Sequence, residues 1–191
     1  MKKIIAGALL GTLIFNLSGC AGAGYEIAPS SKKEVLQETT IQYDKFKKQT
    51  SISTPPYLIR DGFTDTFPVI VSYKSIIKNN KLQFVKMDLK ILGTERAFFN
   101  QAVGEDGYEF KFEEINPYEE GTTITTKSGQ YSSTTTVKKE VFSLFFTLEQ
   151  LKKMTSQDYA IKVYGKTREG DFTMPKFISS AFYQKLQSTN K

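Results

Sequence analysis

The chain has 191 residues, a formal charge of +6 from 26 Lys and Arg against 20 Asp and Glu, one cysteine and no histidine. The missing histidine excludes Ser-His-Asp and Cys-His nucleophilic centres and zinc sites of the usual His-containing or multi-cysteine kinds. A single cysteine forms no disulfide within the chain, so packing must hold the fold, and fifteen Phe and ten Tyr supply it.

The first twenty residues have the layout of a secretory signal peptide. Lys2 and Lys3 give a positive start, and Ile4 to Phe15 is an uncharged, mostly apolar run. That run is too short to span a bilayer, which takes about 20 apolar residues. Asn16, Ser18 and Gly19 then break it. Leu17-Ser18-Gly19-Cys20 resembles the lipobox of bacterial lipoproteins. The resemblance implies cleavage before Cys20, a diacylglycerol on its sulfur and usually a third acyl chain on the new N-terminus. Two acyl chains already anchor a protein stably, at about 0.8 kcal/mol per buried methylene. A signal cut without lipidation is the competing reading. The position of the only cysteine favours the lipobox.

Removing residues 1–19 leaves 172, enough for one domain with a real core, and a charge of about +4. That balance suits contact with anionic headgroups or acidic polymers, or simple solubility. Residues 20–30 form the lipidated N-terminus and a short tether, with Ala21-Gly22-Ala23-Gly24 as its flexible part. Residues 31–191 form a single β-rich domain. In the lipoprotein class, Ala21 after the cysteine fits sorting to the outer membrane of a Gram-negative bacterium, with the domain facing the periplasm or the surface.

Along the domain, Ser31 with Glu34 fits a capped short helix through Gln37. Thr39 to Tyr43 and Gln49 to Thr54 have strand composition, and Pro55-Pro56 stops the second. Lys45, Lys47 and Lys48 mark either a charged turn or a basic patch facing headgroups. Phe67, Val69, Val71 and Tyr73 alternate with Pro68, Ile70, Ser72 and Lys74. Asn79-Asn80 offers a tight turn. Leu82 to Leu92 returns, with Val85, Met87, Leu89 and Ile91 on one face and Lys86, Asp88 and Lys90 on the other.

Arg96 to Val103 reads as a strand, and Gly104 to Gly107 as a turn. Tyr108, Phe110 and Phe112 alternate with Glu109, Lys111 and Glu113, which predicts a half-buried strand with Phe110 and Phe112 in the core. Glu113 and Glu114, Glu105 and Asp106, and Glu119 and Glu120 are adjacent acids. The strand pair should face opposite ways, and the others fall in turns and loops, so none reads as a catalytic pair.

Gly121 to Thr136 is polar and rich in Thr, a solvated hairpin or a mobile loop, with Lys127, Ser128, Gly129 and Gln130 as its tip and as a candidate partner contact. Val141 to Phe146 is apolar on both faces and predicts a central, doubly covered strand. Thr147 and Gln150 fit a capping box for Leu148 to Met154. Tyr159, Ile161 and Val163 face inward on a strand, and Arg168 to Asp171 turns it into Phe172-Thr173-Met174. Pro175 opens a final helix on which Ile178, Ala181, Phe182 and Leu186 form an apolar stripe, with Ser179, Gln184 and Lys185 opposite.

The expected fold is mainly β: an antiparallel β-sandwich or strongly curved sheet with a C-terminal helix packed on it. The alternative is an α+β domain with one antiparallel sheet and helices on one face. The expected function is a non-catalytic binding, assembly or structural module of the envelope, held by lipid on Cys20 and meeting other envelope proteins. No catalytic residue, cofactor, metal or nucleic-acid partner is expected. The alternatives are a carboxylate-dependent glycan hydrolase, which needs two carboxyl groups about 5–10 Å apart across a cleft, and a lipid or small-ligand carrier with an apolar cavity.

Overall fold

The computed structural model describes residues 26–59, 69–93, 95–116, 122–128 and 131–189. The expected signal segment, Cys20 and the Ala21–Gly24 tether lie outside them, as do Phe67, Pro68, Glu119, Glu120, Gly121, Gly129 and Gln130. The fold is mainly β, with antiparallel sheets and a C-terminal helix packed on them.

The main sheet runs in the order β1 (Glu26–Ile27), β4 (Tyr57–Ile59), β5 (Val69–Lys78), β6 (Lys81–Gly93), β10 (Tyr131–Phe146) and β8 (Lys111–Asn116). β2 (Thr40–Asp44) and β3 (Gln49–Ser53) form a hairpin that pairs through β3 with the second half of β5. β9 (Thr122–Ser128) pairs with the first half of β10. A second sheet has the order β12 (Glu169–Met174), β11 (Tyr159–Gly165) and β7 (Phe99–Gly104). The two sheets meet at the turn from β7 to β8. There the Phe110 N–H donates to the Ala102 carbonyl at 3.1 Å and the Gly104 N–H to the Tyr108 carbonyl at 2.9 Å. Helices α1 (Lys32–Glu38), α2 (Leu148–Lys153) and α3 (Lys176–Thr189) complete the described part of the domain.

Local chemistry explains the frame. Asn79 and Asn80 both adopt left-handed backbone, with φ of 51° and 57°. Two such residues make the tight turn whose twist matches a hairpin, and β5 pairs with β6 from Lys78–Lys81 to Val69–Ile91, with one irregularity between Ile76 and Ile77. Val85, Met87, Leu89 and Ile91 all point into the core, as the alternation predicts. Between β3 and β4 the chain leaves the ladder at Thr54 without leaving the edge of β5. The Tyr73 N–H donates to Thr54 Oγ1 at 2.9 Å, and the Thr54 N–H to the Tyr73 carbonyl at 3.1 Å. A side chain thus replaces one rung before Pro55 and Pro56.

The helix ends follow the capping residues. Ser31 accepts from the Glu34 N–H, and Thr147 from the Gln150 N–H. Asp158 Oδ1 accepts from the Lys176 N–H at 2.8 Å and satisfies an orphan donor of α3. The stripe Ile178, Ala181, Phe182 and Leu186 is buried, as expected.

Five expectations need correction. The strand predicted over Arg96 to Val103 starts only at Phe99. Phe98 has φ of 56°, and Glu140 accepts from the Ala97 and Phe99 N–H groups at 2.6 and 3.3 Å, which fixes a bend there. The strand predicted from Tyr108 begins at Lys111, after an isolated bridge at Glu109. Phe110, just before it, is a core residue, whereas Phe112 within it is half-buried and stacks on Phe142 at 4.6 Å. Ser179 is not on the wet face of α3. It is fully buried, because a residue three before Phe182 and seven before Leu186 shares their face. The reversal after β11 is complete by Arg168, and Glu169 already pairs with Tyr164. Finally, β10 is central over Val141 to Phe145, flanked by β6 and β8. Only Phe142, Leu144 and Phe146 join the core, however, while Val141 and Phe145 lie half-buried on the outer face.

Candidate functional site

The outer face of the main sheet carries a constellation of lysines, acids and serines from four strands. Register builds it, because residues directly opposite on neighbouring strands share a face. Lys74 of β5 lies opposite Lys86 of β6, Lys86 opposite Phe145 of β10, and Phe145 opposite Lys111 of β8. The next row is Ser72, Asp88, Ser143 and Glu113, and the row after it Ile70, Lys90 and Val141. Lys139, opposite Leu92, lies diagonally from Lys90. Five lysines and two acids therefore share this face, among three apolar residues of the same rows.

The centre is tightly wired. Lys86 Nζ lies 2.7 Å from Asp88 Oδ1 and donates to Ser143 Oγ at 3.0 Å. The Ser143 hydroxyl donates to Asp88 Oδ1. Lys86 and Lys111 stand over the Phe145 ring at 5.7 and 5.2 Å from its centroid, and Phe84 packs edge-on against that ring at 5.7 Å. Burial and then the neighbouring Lys90 charge push Lys139 below the usual lysine value. Crowded like charges of this kind favour an arriving anion. A recess of about 90 Å³ opens among Pro56, Ile70, Ser72, Asp88, Lys90 and Val141.

Ser143 beside Lys86 invites comparison with a serine-lysine nucleophile. The geometry opposes it. The hydroxyl proton points at Asp88 and not at the lysine, and Ser143 is 1% exposed, so no substrate carbonyl reaches it.

A second cluster joins the β7–β8 turn to β11 and α2. The Tyr159 hydroxyl donates to Asp106 Oδ1, Gln150 Nε2 donates to the Tyr159 hydroxyl at 2.7 Å, and Lys153 Nζ lies 3.3 Å from Asp106 Oδ2. Partial burial pushes the Asp106 carboxyl up. The hydrogen bonds from Tyr159, the Tyr108 N–H, Lys153 and Gln150 outweigh it and hold the group below its usual value. Burial, reinforced by Asp106, pushes Tyr159 well above the usual phenol value. Glu105 accepts from Gln157 Nε2 at 2.7 Å and from the Ala160 N–H at 3.2 Å. These acids tie the turn to β11, and Asp106, held below its usual value, lacks the raised carboxyl of a general acid.

Glu113 and Glu114 are both exposed on β8 and are not brought together with the turn acids. Lys127 and Ser128 end β9, and Ser128 pairs with Tyr131 across Gly129-Gln130. Lys127 and Ser128, the described part of the candidate contact, therefore sit at the end of a two-stranded ribbon, away from the lysine rows. The sheet–helix interface, where a carrier's cavity would lie, is filled by Tyr73 stacked on Phe182 at 5.0 Å. Within the described residues no group of three or more Asp, Glu, His or Cys is placed to hold a metal ion, and no helix is long and apolar enough to cross a membrane.

Strand alternation already placed Lys86 and Lys90 on one face. What it could not reveal was that Lys74, Lys111 and Lys139 join them from three other strands, which only cross-strand register fixes. No family model, curated protein or solved structure matches this chain.

Proposed function

We propose that this chain is an envelope lipoprotein, anchored through lipid on Cys20, whose domain binds an anionic polymer through the outer face of its main sheet. The observation that carries the binding part is the cationic row Lys74, Lys86 and Lys111 around Phe145, continued by Lys90 and Lys139. Strands lie about 4.8 Å apart, so the row offers positive charge over about 15 Å, a span suited to successive charges of an extended chain. Asp88 and Ser143 hold Lys86 in place. Lys74, Lys90 and Lys111 are the lysines we assign to the ligand. A half-buried sheet face with only a small recess suits a polymer lying across the sheet rather than an enclosed small molecule. The reading needs no turnover, which agrees with the structural roles of Glu105 and Asp106.

Anchorage is tested by the intact mass of the membrane form. A chain beginning at Cys20 with acyl chains on it is expected, and an unacylated mature chain would reject the lipid anchor. Cys20→Ala should release the protein from membranes or leave the precursor uncleaved. Binding is tested by titration with a polycarboxylate and with a polyphosphate, which separates the two anion chemistries.

A further inference from the structure

The β2–β3 hairpin leaves an apolar stripe uncovered. Phe46 at its tip is 87% exposed, Tyr43 66% and Ile41 46%. Ile41 and Tyr43 sit two apart on β2 and so share a face, and the Lys45 ammonium stands over the Phe46 ring at 5.1 Å. Single exposed apolar residues are ordinary, but a run of three ending on an almost bare Phe at a loop tip is not.

Charge surrounds this tip. Gln49 pairs with Lys78, so the turn at residues 45–48 and the Asn79–Asn80 turn lie at the same end of the sheet. Together they present Lys45, Lys47, Lys48, Lys78 and Lys81. The one acid among them, Asp44, is engaged: its Oδ1 accepts from the Phe46 and Lys47 N–H groups at 2.9 and 3.0 Å and holds the turn in shape. An aromatic tip ringed by lysines complements the boundary of an anionic bilayer, where rings enter the acyl edge and ammonium groups meet headgroups.

Strand direction gives a second argument. β1 runs parallel to β4 and antiparallel to β5, so its first residue, Glu26, is its end nearer this same end of the sheet. Glu26 is level with Val71, seven residues from Lys78, which is about 23 Å along a strand. Cys20 lies six positions before Glu26, a reach of about 20 Å when extended. Fully extended, the tether brings Cys20 nearly to the level of Lys78 at the base of the hairpin tip, on the same side of the domain as Phe46. We infer that the β2–β3 hairpin tip is a second membrane contact, docking Phe46 and Tyr43 into an anionic lipid surface beside the Cys20 anchor. The reach argument rests on the anchorage reading, whereas the exposed aromatics and the charge do not.

The chain contains no tryptophan, so one introduced residue reports alone. Phe46→Trp and Ile115→Trp are made in the otherwise intact chain. Ile115 is 48% exposed on β8, toward the opposite end of the main sheet. Each variant is mixed with vesicles of phosphatidylglycerol and phosphatidylcholine carrying brominated acyl chains. The inference expects blue-shifted, quenched emission from Phe46→Trp and unshifted, unquenched emission from Ile115→Trp. It also expects the Phe46→Trp quench to fall when Lys45, Lys47 and Lys48 are changed to Gln, and to be weaker in phosphatidylcholine alone. Unshifted emission from Phe46→Trp, or equal quenching at both positions, would overturn it. So would quenching indifferent to the lysines and to lipid charge. Cys20→Ala keeps the two claims apart. If Cys20→Ala changes neither vesicle flotation nor mass, anchorage fails, whereas a floating chain with an unquenched Phe46→Trp defeats only the docking.

Discussion

The Tyr73 hydroxyl of β5 meets the Ser179 hydroxyl of α3 at 2.8 Å, with both residues sealed from solvent. The same Tyr73 ring stacks on Phe182, one turn further along the helix, and packs edge-on against Phe146 at 6.1 Å. One tyrosine in the central hairpin therefore fixes both the depth and the rotation of the C-terminal helix. Each buried hydroxyl takes the other as its hydrogen-bond partner, so the pair should behave as a unit. Tyr73→Phe or Ser179→Ala alone strands a buried hydroxyl and should cost about 1–3 kcal/mol. The double variant should be more stable than the sum of the singles implies. Denaturant unfolding of all four proteins measures the coupling, and strict additivity would contradict it.

Alkaline stability follows from the tyrosines. Burial raises Tyr73 well above its ordinary value of 10.0, and burial with Asp106 raises Tyr159. A raised folded-state value means that the unfolded chain ionises first. The stabilisation is complete below pH 10 and is lost as pH climbs from there towards the folded value, by at most about 1.4 kcal/mol per pH unit for each tyrosine. Asp106 has the opposite sign: its contribution holds above its ordinary value of 3.8 and is lost as pH falls through its lower folded value. Melting temperature against pH should therefore fall above about pH 10, less steeply in Tyr73→Phe. Below about pH 4, Asp106→Asn should flatten the curve.

Ser75 is fully buried on β5, and its hydroxyl has no hydrogen-bond partner among the described residues. An unpaired buried hydroxyl costs about 1–3 kcal/mol. Ser75→Ala should thus leave the melting temperature unchanged or raise it, although the site lies in the core. A clear drop would reveal a bond that this geometry lacks.

β9 pairs in the sheets only with β10, so the ribbon beyond Thr125 and Thr134, which face each other, should add little to the fold. Replacing residues 126–133 by a two-residue turn should shift the melting temperature little. Loss of folding would place this ribbon in the core. Loss of a partner in crosslinked pull-down, with folding intact, would make Lys127 and Ser128 the contact.

Much of the architecture was legible because local rules act alone in it. The Asn79-Asn80 turn, the period of two from Val85 to Ile91, the Ser31 and Thr147 caps and the α3 stripe each depend on a few neighbouring residues. Some of the misses arise because long-range partners override local pattern. Glu140 bends the backbone around Phe98 from 41 residues away. The lysine face was invisible for the same reason, since a run such as Lys86-Met87-Asp88 looks like any solvated strand until its neighbours' registers are known. The hairpin tip was half legible: Lys45, Lys47 and Lys48 were evident, whereas the exposure of Phe46 and Tyr43 required the fold.

The central claim is that the outer sheet face binds a polyanion, and its most direct test is a calorimetric titration of the chain with a polycarboxylate and a polyphosphate. Wild type is compared with the triple variant Lys74→Gln, Lys90→Gln and Lys111→Gln. Those three lysines have no carboxylate partner among the ion pairs described, so the variant should fold as wild type does. Binding to at least one polymer is predicted, weakening with salt. The triple variant should lose about tenfold in affinity, as three exposed ion pairs of about 0.5 kcal/mol each would give. Binding that the triple variant retains undiminished, or no binding to either polymer at low salt, would contradict the account.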